Sequence, residues 1–206
     1  MRRLLQVAAL TATISFLAYS QAAIAVFMKF DSRPSEPLIR IMKQEVDSIM
    51  QPSGLLFDWR LLNDKRGDSA FRDLVVLRFK GQCDSVDPTG FPEPPQSVVL
   101  GSTLVSGDRV LPFTEVGCNE IRSFIPDSPS RERESLLGRA IGRVVAHEIY
   151  HVLLRTTHHS RAGLARTWQT PRDLRSARLV FDPSTSEELR KMNEGRHRPP
   201  LLTGNR

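Results

Sequence analysis

Between Ser128 and Arg155 one apolar stripe, Leu137, Ala140, Ile141, Val144, Val145 and Val152, recurs at helical spacing. That period predicts a long amphipathic helix buried along one side, with Arg133, Glu134, Arg139 and Arg143 on its wet side. Pro126, Ser128 and Pro129 mark its start, Ser128 as N-cap and Pro129 at the first helical position. Thr156 and Thr157, poor helix formers, mark where it frays. A helix of this length needs other elements to cover its apolar side, and the rest of the chain has to supply them.

From Ser35 to Met50, the residues Leu38, Ile39, Met42, Val46, Ile49 and Met50 predict a second amphipathic helix, stopped by Pro52-Ser53-Gly54. Leu55 to Leu62, with Trp59, and the run Leu74 to Phe79 read as strands. Ser97 to Val105 and Val110 to Val116 read as two more, joined by the turn Ser106-Gly107-Asp108. Between Asp84 and Gln96, Pro88, Gly90, Pro92, Pro94 and Pro95 exclude regular structure and predict a surface loop. Leu179-Val180-Phe181 is a short apolar segment after an Arg-rich loop. Asp182-Pro183-Ser184 then opens a last helix through about Asn193, with a mobile tail from about Gly195.

At 206 residues the chain fits one compact unit. Met1-Arg2-Arg3, the apolar Leu4 to Tyr19 and the small-x-small pattern Ala23-Ile24-Ala25 read as an export signal, giving a leader at 1–25 and a single domain at 26–206. The alternative is an uncleaved anchor, since apolar character continues to Phe27, and only then is the chain tied to a membrane. Either way the domain faces a periplasmic or extracellular space. There Cys83 and Cys118 are expected to pair as a structural disulfide, because they lack the C-x-x-C spacing of a redox pair or a cysteine zinc site. The net charge of +6 includes Arg2 and Arg3, and the remaining arginines lack interleaved aromatics. They read as a solvated basic face on a monomer, with no nucleic-acid partner.

Inside the long helix stands His147-Glu148-Ile149-Tyr150-His151. Residues four apart share a helix face, so His147 and His151 can present two imidazole nitrogens to one ion. Glu148, angled away from coordination, can take a proton from a metal-activated water and pass it to a leaving amine. A catalytic zinc ion wants a third protein ligand, and His158 and His159 just past the helix end are the nearest suppliers, with Gly163 helping the chain turn back. Glu187 or Glu188 on the last helix is a further possibility. Tyr150 and Trp168 invite roles as oxyanion stabiliser and cleft wall. Tyr150, however, leaves a different helix face from the histidines, and Trp168 is more often packing.

At these residues the sequence resembles the metzincin clan of zinc endopeptidases, whose long motif is H-E-x-x-H-x-x-G-x-x-H followed by a methionine turn. It is more closely similar to an exported bacterial group with H-E-x-x-H-x-L-L-G and then His-Ser, two residues and Gly-Ile-Met. Its counterparts here are His147 to Arg155 and then His159-Ser160-Arg161-Ala162-Gly163-Leu164-Ala165. The resemblance selects His159 over His158 as third ligand. It implies an α+β fold with a metzincin-like core: a small mixed sheet, an N-terminal helix, an active-site helix and a C-terminal helix. It also implies one catalytic Zn2+ and hydrolysis of peptide or protein substrates, with Glu148 as general base. The chain departs from the pattern at Arg155, in place of glycine, and at Ala165, in place of methionine. A zinc-holding but catalytically weak binding protein is therefore the competing reading.

Overall fold

A computed structural model describes residues 23–64, 71, 73–84, 98–126 and 129–197. Its elements, in chain order, are β1 (Ile24–Ser32), α1 (Glu36–Met50), β2 (Phe57–Leu61), β3 (Leu74–Gln82), β4 (Gly101–Ser106) and β5 (Arg109–Gly117). After these come α2 (Cys118–Ser123), α3 (Ser130–Leu154), α4 (Pro171–Arg175) and α5 (Pro183–His197). The strands form one mixed sheet in the order β2-β1-β3-β5-β4. The first four are parallel to one another, and β4 runs antiparallel to β5 at one edge.

Strand β1 was not expected from the sequence. Ile24 and Ala25, read as the end of a leader, are its first residues, and Ala25 and Val26 are fully buried between β2 and β3. Continuous apolar sequence is what a central parallel strand and a leader have in common, so the two readings overlap here. Residues 1–22 lie outside the described part, as do Ser128, the proline-rich positions 85–97 and the tail beyond 197.

Alternate residues Val26 and Met28 of β1 and Val75, Leu77 and Phe79 of β3 enter one core with the apolar face of α1 and the stripe of α3. Each such side chain, fully buried, contributes roughly 1.5–3 kcal/mol of transfer free energy. Between them, Lys29, Arg78 and Lys80 stay in water, where Arg78 and Lys80 pair with Glu115. Helices α1 and α3 approach closely because Gly138 and Gly142 face α1: a Cβ on Gly142 would lie 2.7 Å from the Met42 carbonyl oxygen. Ser35 caps α1, its hydroxyl accepting from the Leu38 N–H.

Two short helices, α2 and α4, escaped the sequence reading. At six and five residues they are too short to show a period, and tertiary contacts hold them. A disulfide joins Cys83, just past β3, to Cys118 at the start of α2, both buried. Arg143, expected on the wet side of α3, is fully buried instead. Its guanidinium bonds Glu45 of α1 at 2.7 Å and donates to the carbonyls of Asp173, Leu174 and Ser176, each at 2.9 Å. A charge survives burial only with such a full set of partners, and this set ties α4 to both long helices.

Candidate metal centre

The C-terminal half of α3 carries His147, Glu148 and His151 beneath the β4 edge of the sheet. Glu148 and His151 are buried there and His147 partly so. The ring Nδ1 of His147 lies 2.8 Å from the Leu164 carbonyl oxygen and that of His151 lies 2.7 Å from the Thr156 carbonyl oxygen. A carbonyl only accepts, so both Nδ1 atoms are donors and both Nε2 atoms hold lone pairs. These two Nε2 atoms face each other at 3.0 Å.

Two acceptors at that distance repel unless a positive species lies between them. Burial opposes a proton there: it pushes the His147 imidazole down to about 4, against partial compensation from the Leu164 bond. Burial lowers the pKa of His151 and His159 as well. Neutral imidazoles with inward lone pairs and carbonyl-fixed tautomers are the donor set a metal ion requires. The residues present therefore fit a metal.

The chain after α3 brings in a third ring. Arg155 adopts the left-handed conformation, φ 51°, that ends the helix, and the Thr156 N–H closes back on the His151 carbonyl at 3.1 Å. The helix thus runs through Leu154, where the general metzincin motif has its glycine, and turns one residue later, on the arginine. His159 then swings under α3, its ring centroid 5.3 Å from that of His147 and 4.7 Å from that of His151. One nitrogen from each of the three histidines falls within a 4.8 Å span, a group that could hold a metal ion. His158 is not part of it: its residue is exposed, its N–H donates to Thr156 and its carbonyl accepts from Tyr150. Glu187 is drawn away to Arg190 and Lys191.

Glu148 reaches toward the edge strand. Its Oε2 accepts from the Thr103 hydroxyl at 2.6 Å, and Gly101 makes room for its Oε1, since a Cβ there would sit 2.6 Å away. Burial raises its carboxyl to about 7, partly offset by the Thr103 bond. His147, Glu148, His151 and His159 line a cavity of about 260 Å3 with Gly101, Thr103 and Thr156.

A second cavity of about 170 Å3 adjoins it, sharing His147 and Glu148 and walled by Val99 and Trp168. Trp168 is 68% exposed, a cleft residue and not the packing residue expected of its type. Tyr150 leaves α3 on another face than the histidines, as the helical period implies: it is buried, and its hydroxyl donates to the His158 carbonyl at 2.8 Å. Leu164, which orients His147 through its carbonyl, and Thr103, which holds Glu148, were missed, because neither contact has a signature in sequence spacing.

A structure search matches the crystal structure of an archaemetzincin from Methanopyrus kandleri, with a TM-score of 0.53 and 12% identity, covering 86% of this chain and 99% of that one. The core is metzincin-like. At that identity the likeness is one of fold, and within this metzincin-like core the long helix and the return segment behind it carry the three histidines. No protein-family model matches the sequence, and no curated protein matches it.

Proposed function

We propose that this chain is an exported zinc-dependent endopeptidase, with His147, His151 and His159 as ligands and Glu148 as general base. The observation that carries the reading is the convergence of three neutral imidazoles beside a buried carboxylate at the floor of a cleft. Zinc held there would supply Lewis acidity toward a peptide carbonyl and acidify an attacking water. The chain's own residues do the rest. His147 and His151 are fixed in the ligating tautomer by Leu164 and Thr156. Glu148, held by Thr103, takes the proton of the attacking water and returns it to the departing amine nitrogen. Its burial keeps competing water away from that transfer.

Glu148→Gln tests this reading: zinc content should stay at one ion per chain while chelator-sensitive cleavage of a peptide mixture disappears. A fully active variant sinks the proposal. The competing reading, a zinc-holding binding protein, draws on Ala165, which is buried where the resemblance places a methionine. It stands if the zinc-loaded wild-type chain cleaves nothing in a broad peptide mixture.

Export is supported by the N-terminal pattern and by the buried Cys83–Cys118 disulfide. Because Ile24 and Ala25 build β1, cleavage is expected ahead of Ile24, where Ser20-Gln21-Ala22 also offers small residues at the required spacing. N-terminal sequencing of the exported chain decides it, and a mature chain starting at Val26 overturns the expectation.

A further inference from the structure

His159 is the member of the three-histidine group that no helix or strand holds. It sits in the stretch 156–162, between the left-handed Arg155 and Gly163, and such a stretch costs conformational entropy for every residue it fixes. Its two ends converge on one side chain, Tyr150. At one end the Tyr150 hydroxyl donates to the carbonyl of His158, the peptide that leads directly into His159, at 2.8 Å. At the other, Gly163 forms a bridge with Phe181, the Leu164 N–H donating to the Val180 carbonyl at 2.9 Å. The Phe181 ring in turn packs on Tyr150 at 5.6 Å between centroids. Tyr150 also lies 4.9 Å from the His151 ring on its own helix. A single buried phenol thus spans the helical ligands, the loop ligand and the segment that backs the loop.

We propose that Tyr150 is a positioning residue for the metal centre: by pinning the His158 carbonyl and the Phe181 ring it holds His159 in reach of the ion before any ion arrives. The role rests on the three-histidine reading above and explains why a tyrosine off the ligand face of α3 belongs to the site. It acts through His159 and touches neither metal nor substrate. Removing only the hydroxyl frees the loop and leaves the phenyl packing intact.

The test is Tyr150→Phe in the full chain, measured alone and with His159→Ala, by competition for zinc against a chromophoric chelator. The expected result is a loss of zinc affinity of about tenfold in the otherwise native chain, the scale of a lost orienting contact, and no further loss once His159 is gone. In the metal-free chain, exchange of the Ser160 and Leu164 amides should quicken while that of the α3 amides does not. An affinity within twofold of native, or the same tenfold loss in the His159→Ala background, overturns the positioning role. Unchanged loop exchange overturns it too. If His159→Ala by itself leaves zinc affinity intact, the three-histidine reading fails and takes the proposal with it. A Tyr150→Phe failure on its own leaves that reading standing.

Discussion

The two halves of the metal centre are built by different physics. His147, Glu148 and His151 sit on α3, where the helical period alone puts the two imidazoles on one face, and packing against α1 and the sheet holds the helix still. His159 sits on a return segment whose position depends on scattered partners: Tyr150 at His158, Asp182 at Ser160 and Phe181 at Gly163. The helical half is rigid through local hydrogen bonds. The loop half is rigid only while its distant partners stay in place, so it is the half through which affinity can be tuned or lost.

The largest effect falls on the helical half. Glu148→Gln should lower turnover by roughly 10²–10⁴, the range of general acid–base catalysis, with zinc content unchanged. Loss of zinc instead would mean that the carboxylate belongs to the ligand set. The next test cuts the tie of α4 to the two long helices. Arg143→Met removes a fully buried guanidinium and strands Glu45 and the carbonyls of Leu174 and Ser176, at an expected cost of about 3–5 kcal/mol in denaturant unfolding. A cost under about 1 kcal/mol, the scale of a surface ion pair, would show the tie to be dispensable.

Acid should separate the two kinds of group. The folded state holds His147 at about 4 against an ordinary 6.5, so between those values the unfolded chain binds more protons. Stability of the metal-free chain therefore falls as pH drops through that window, by up to about 3 kcal/mol from this residue. Glu148 works in the opposite sense: raised from 4.5 to about 7, its contribution is complete below 4.5 and lost as pH rises through 7. Glu148→Gln should accordingly steepen the destabilisation on acidification below pH 7, read as urea midpoint against pH. A shallower slope in that variant contradicts the assignment.

The smallest expected effect lies at the junction of the halves. Arg155 holds φ 51°, where a Cβ is strained, and Arg155→Gly trades that strain for backbone entropy. A net gain of about 0.5–1 kcal/mol in stability is expected, read as a shift in the denaturant midpoint. A loss would mean that the arginine side chain itself secures the turn.

Local periodicity encodes much of this molecule. The stripes of α1 and α3, the β3 strand, the β4–β5 hairpin and the spacing of His147, Glu148 and His151 all follow from residues close in the chain. The end of α3 at Leu154 was legible too, from the poor helix formers Thr156 and Thr157 just beyond it. Features whose partners lie far away in the chain depend instead on tertiary packing. The first residues of β1, Ile24 and Ala25, read as leader until β2 and β3 flank them. Arg143 reads as a surface charge until Glu45 and the α4 carbonyls surround it, and Trp168 reads as core until no core reaches it. The placement of His159 belongs to the same class, because a loop has no period of its own and takes its shape from contacts that sequence spacing does not record.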